Sequence, residues 1–201
     1  MVKKYDNRND IVVMAYTPEY RVKGTKLHVP DLFAITVHQA LPAIYTSYNI
    51  WNKNGITVLL FGDVFYTEKA MDRIVSKAST STEVLFYGRK KGSASTGKPW
   101  QEIFAMSFQK THNEDVLMQL EELKQQFDRK EITRFLTWEI YKQLNGVSLD
   151  QVPITQFSKT FINIDDFTDD FDFPVDYDRW INNYNKKKAS DGIFGFFRFK
   201  K

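Results

Sequence analysis

Residues 162–178, INIDDFTDDFDFPVDYD, hold seven aspartates: Asp165, Asp166, Asp169, Asp170, Asp172, Asp176 and Asp178. The segment follows a strand-like run, 160–164, and precedes a helix-like run opened by Pro174. Like charges this close repel, so the segment folds only where a cation or basic ligand neutralises it, or where water screens it. Much earlier, the apolar run 56–61 (ITVLLF) leads into Gly62-Asp63. Two carboxylate sites, each at the carboxyl end of a strand, are what a divalent-metal phosphate site requires. The competing reading of the acidic run is a solvated surface loop.

The chain has 201 residues, for which one domain is the default and two small ones are the alternative. Its 42% hydrophobic and 26% charged content is ordinary for a globular protein. The 15% aromatic content supplies core bulk and leaves aromatics for ligand stacking. A net charge of +3 does not by itself imply nucleic-acid binding. Its distribution is uneven: 162–178 is acidic, whereas 179–201 carries Arg179, Lys186, Lys187, Lys188, Arg198, Lys200 and Lys201. There is no cysteine, which excludes disulfides, thiolate metal sites and thiol catalysis. No apolar run reaches the roughly 18 residues of a membrane span. The N-terminus lacks an apolar signal core. The expected location is cytoplasmic.

Strand and helix signals alternate. Strands are expected at 11–16, 56–61, 83–87, 102–108 and 160–164. Helices are expected at 32–51, capped by Asp31 and kinked at Pro42, and at 68–77, capped by Thr67. Further helices are expected at 113–127, 133–144 and 175–184. This alternation predicts an α/β domain over 1–190. Its sheet is expected to be mixed and mostly parallel, with 56–61 central and helices on both faces. Residues 191–201, containing GIFGFFRFKK, fall outside the alternation and read as an aromatic, basic tail. That tail is expected to dock on the domain's flank, another subunit or a partner.

The loop 92–98, GSASTGK, has P-loop spacing. Pro99 stands where Ser or Thr would hold magnesium, and a strand follows instead of a helix. A flexible basic loop closing over an anionic ligand and a plain surface hairpin are equal readings. Asp63 reads equally as a crevice-facing carboxylate or a turn residue. Asp170 and Asp172 share one face if extended. The missing glycine argues against an EF-hand. His28, His38 and His112 lack metal-ligand spacing. No nucleophile signature is readable, which favours metal-assisted over covalent transfer.

In order, these pieces resemble a family. ITVLLFGDVFYTEKAMDRIV resembles the central strand, Gly-Asp-Val and following helix of GT-A-fold, Rossmann-like nucleotide-sugar enzymes. The nearest likeness is to sugar nucleotidyltransferase-like and glycosyltransferase-like proteins of bacteriophages. DFDFPVDYDRW is similar to their D-x-D-T-P-E-D-Y motif, with Phe173 for Thr and Val175 for Glu. The resemblance implies a catalytic pair, Asp63 and Asp172, and Mg²⁺ or Mn²⁺ held by Asp63, Asp170 and Asp172. It makes Arg89, Lys98, Trp100, Glu102 and Trp138 candidates for sugar or acceptor contacts. The family's N-terminal glycine-rich nucleotide loop has no counterpart here.

Two functions follow. One is a metal-dependent glycosyltransferase or sugar nucleotidyltransferase acting on a nucleotide-diphosphate sugar, in the host cytoplasm if viral. The other is a non-catalytic binding or assembly protein on a degenerate GT-A scaffold.

Overall fold

The computed structural model describes residues 4–5, 10–30 and 40–190. Among them are five α-helices and eight strands. Strands β1 (Val12–Met14) and β2 (Lys26–His28) form a small parallel pair. Helix α1 (Ala40–Thr46) contains Pro42, and Tyr48–Ile50 is a 3₁₀ turn. The expected cap Asp31, the first part of that helix, His38 and the tail lie outside the described residues.

The main sheet has four strands in the order β3 (Ile56–Leu60), β6 (Glu102–Gln109), β5 (Leu85–Arg89), β7 (Phe161–Asn163). Here the expectation is corrected. The 56–61 run is not central; among the described residues β3 lies at an edge. Strands β3, β5 and β7 run one way and β6 alone opposes them. Because β6 sits between β3 and β5, two of the three pairings are antiparallel. The reason lies in the side chains. All five residues of β5 are buried, as are the six inner residues of β6, whereas Val58 of β3 is 38% exposed. The apolar run of β3 thus marks a half-covered edge, and the truly central strands are less uniformly apolar.

Helices cover both faces, as expected. Helices α1, α3 (Asn113–Asp128) and α4 (Thr137–Leu144) pack Leu41, Val116, Leu120 and Ile140 on one face. Phe86, Met106 and Phe161 meet them there. Helix α2 (Glu68–Thr80) packs Ala70, Met71 and Ile74 on the other face, against Tyr87, Phe104 and Ala105. Phe104 and its neighbour Ala105 share a face because the register slips between Tyr87↔Ala105 and Gly88↔Ile103. The bulge leaves Phe104 as the extra residue. Gly88 makes this close approach possible, since a Cβ there would stand 2.0 Å from the Glu102 carbonyl oxygen.

Local signals explain the helix starts. Thr67 Oγ1 accepts from the Ala70 N–H at 3.0 Å, an N-cap. Glu139 accepts from the Leu136 N–H at 3.0 Å, so α4 begins four residues later than the apolar spacing predicts. Helix α5 (Pro174–Ser190) opens on proline, whose fixed φ suits the first turn. A second small sheet pairs β4 (Val64–Phe65) antiparallel with β8 (Asp169–Asp170), bringing Val64 opposite Asp170. The Phe171 N–H then donates to the Asp63 carbonyl at 2.9 Å. The acidic segment is therefore stitched beside the turn that follows β3.

Candidate functional site

The common direction of β3, β5 and β7 brings their carboxyl ends to one edge. There Arg89 closes β5 opposite Glu102 of β6. The Arg89 guanidinium is buried and donates from Nη1 to Asp169 Oδ1 at 3.0 Å. Lys98 is also fully buried, and its ammonium bonds Asp170 Oδ2 closely. The same ammonium lies 3.8 Å from Asp176 and 3.9 Å from Asp172. Arg179, one turn along α5, bonds Asp176 at 2.7 Å and reaches Asp169 at 3.6 Å. Three cations thus face four aspartates. These four aspartates are neutralised from within, by two residues of the 89–98 segment and one of α5.

Two carboxyls show what this costs. Burial, reinforced by the Asp170 charge, pushes Glu102 up to about 8 despite Lys98 and Arg89. Burial also pushes Asp176 upward. The Arg179 hydrogen bond, the Phe173 N–H and the Lys98 charge outweigh it and hold that carboxyl below its usual range.

The 92–98 loop is correspondingly not a free anion-closing loop. Ser93 N–H donates to the Lys98 carbonyl at 2.7 Å, and Ser93 Oγ accepts from Thr96 N–H at 3.1 Å. Asn183 of α5 donates to the Thr96 carbonyl at 3.0 Å. The apparent P-loop lysine is spent on Asp170, and no helix follows it.

Of the implied metal set, Asp63 is held beside the 170–172 segment by the β4–β8 pairing and the Phe171 N–H bond. Asp63 is exposed, Asp172 is half exposed, and Asp170 is buried under Lys98. Among the described residues no group of three or more His, Asp or Glu is placed to hold a metal ion. A divalent ion at Asp170 would have to displace the Lys98 ammonium, so that carboxylate does not suit one. Asp166 has a structural task. It accepts from Thr67 Oγ1 at 2.7 Å and from Thr168 N–H at 2.7 Å, fixing the turn before β8 to the start of α2.

The outer side of the same loop walls a cleft of about 420 Å³. Trp100, 54% exposed, and Trp138 both line it. Trp138 is braced from within, stacked on Phe161 at 5.8 Å and edge-on to Tyr141 at 5.9 Å. Lys90, Lys91 and Arg134 supply positive charge around the opening. Gln101 clamps the walls: its amide donates to the Lys90 and Ile154 carbonyls, and its oxygen accepts from Ile154 N–H at 3.0 Å. The cleft and the charge network share one support. Arg89 Nε donates to the Trp100 carbonyl at 3.1 Å, and Lys98 Nζ lies 5.6 Å from the Trp100 ring centre.

Of the residues read from sequence as sugar contacts, Trp100 and Trp138 meet in the cleft, while Arg89, Lys98 and Glu102 meet in the network. Sequence reasoning missed Asp169, Asp176 and Arg179. The i,i+3 spacing of Asp176 and Arg179 on a helix could have found that pair. It also missed Arg134, Lys90 and Lys91, for which no spacing signal existed.

No family model, curated protein or solved structure matches this chain.

Proposed function

We propose that this protein binds a nucleotide-diphosphate sugar, or a closely related phosphorylated sugar, in the cleft between Trp100 and Trp138. The observation that carries the reading is the meeting of two tryptophans with three basic side chains in one opening. Its volume of about 420 Å³ falls within the range of small-molecule sites. Aromatic faces stack on a sugar or base, and lysine and arginine neutralise phosphate oxygens. The charge network serves this site by holding the Trp100 wall. In this reading the chain is a binding protein on a GT-A-like scaffold.

Isothermal titration with nucleoside-diphosphate sugars, with and without Mn²⁺, tests it. Binding is expected without the metal. Trp138→Ala is expected to weaken it about tenfold, the worth of one stacked ring. Binding that is unchanged in Trp138→Ala and Arg134→Ala sinks the cleft assignment.

Glu102 favours a second reading, a glycosyl or nucleotidyl transferase. A carboxyl that is still protonated at neutral pH, beside the half-exposed Asp172, suits proton transfer to a leaving group. Turnover of a nucleotide sugar that is lost in Glu102→Gln, with binding retained, would favour it over simple binding.

A further inference from the structure

A second surface forms where β4, β8 and the first turns of α5 meet. Phe65, Phe173, Val175 and Tyr177 are all exposed there, by 42%, 67%, 64% and 42%. Ring contacts join this surface through Trp180, which meets Phe65 at 4.9 Å, Phe171 at 5.8 Å and Tyr177 at 6.4 Å. Exposed Asp63, Asp172 and Asp178 are interspersed with the aromatics. Apolar surface of this extent, mixed with acid, calls for an occupant that is both aromatic and basic.

We propose that residues 192–201 of the same chain are that occupant, folded back along α5. The sequence GIFGFFRFKK supplies four phenylalanines together with Arg198, Lys200 and Lys201. Reach permits it. The 17 residues of α5 span about 25 Å at 1.5 Å per residue. The eleven residues after Ser190 extend to about 36 Å. Charge order favours it as well. Helix α5 has Asp176 and Asp178 near its start and Lys186, Lys187 and Lys188 near its end. The tail begins with Asp191 and finishes with its basic residues, so an antiparallel return sets opposite charges side by side.

Hydroxyl-radical footprinting of the full chain tests the proposal. In a variant with Phe194, Phe196, Phe197 and Phe199 replaced by serine, oxidation of Phe65, Phe173 and Tyr177 is expected to rise severalfold. Buried Tyr87 is expected to stay protected, which confirms that the variant is folded. Reversing the tail's charge (Arg198→Glu, Lys200→Glu, Lys201→Glu) is expected to act in the same direction. Adding Asp63→Lys and Asp178→Lys to that reversal is expected to restore protection. Unchanged oxidation in the serine variant overturns the proposal. So does a dimeric mass in light scattering that falls to a monomer in that variant, because the occupant would then be a second copy's tail.

Discussion

At Lys98 one ammonium meets three carboxylates with no exposed surface of its own. Removing one partner of a buried pair leaves uncompensated charge, which costs about 3–5 kcal/mol. Lys98→Met is therefore expected to lower unfolding free energy by that order in urea denaturation. Adding Asp170→Asn should recover part of the loss, because the stranded charge is then gone; no recovery would show that Lys98 acts through packing alone. Glu102 sets the pH response. The folded protein holds its proton up to about pH 8, whereas the unfolded chain releases it near its ordinary 4.5. Between these values the folded state carries the extra proton, so stability falls as pH rises through the window. Glu102→Gln cannot titrate, and its melting temperature should be flatter from pH 5 to 8. Asp176 acts at the other limb. Its carboxyl is held below its ordinary 3.8, so its stabilisation is present above that value and is lost as pH falls below it.

At the level of elements, β5 and β6 depend on a glycine. A methyl group at Gly88 would meet the Glu102 carbonyl at 2.0 Å, so the β5–β6 bulge cannot form unchanged. Gly88→Ala is expected to be among the most destabilising single substitutions in the chain, with soluble yield and thermal melting as readouts; a wild-type melting curve would show that the strands can slide apart. Thr67→Ala, by comparison, removes an N-cap worth about 1 kcal/mol, and with it the bond to Asp166. The capped start of α2, the apolar stripe of α3 and the Pro174 start of α5 were legible because each is written in local sequence. The rank of β3 was not. Six apolar or β-branched residues in a row say that a strand is apolar, not which neighbours cover it. Arg89, inside the most buried strand, shows the converse: its partner Asp169 is eighty residues away. Trp100 and Trp138, read from sequence as candidate ligand contacts, both line the cleft. Arg89, Lys98 and Glu102 were not legible as a network, since sequence cannot tell a cation that meets a ligand from one that meets an aspartate.

At the scale of the whole molecule, basic side chains among the described residues serve two different places. Arg89, Lys98 and Arg179 face the aspartates of 169–176, and the cleft walled by the 89–101 segment carries Lys90, Lys91 and Arg134. The phosphorylated ligand proposed for the cleft would be attracted by these last three, and salt should weaken that attraction because the charges are near the surface. Ligand bound only by the folded state adds about 2.7 kcal/mol at a hundred times its dissociation constant. For a chain of this length each kcal/mol moves the midpoint by about 2–4 °C, so a saturating nucleotide sugar should raise melting by about 5–10 °C. Raising salt should shrink the shift. Arg134→Ala should shrink it as well, with little change in the unliganded midpoint, since Arg134 is exposed. Lys98→Met should lower both the midpoint and the shift, because Lys98 holds the segment that carries Trp100. Should Lys98→Met lower the midpoint yet leave the ligand shift intact, the charge network and the cleft are independent, and the network is only a fastening for the acidic segment.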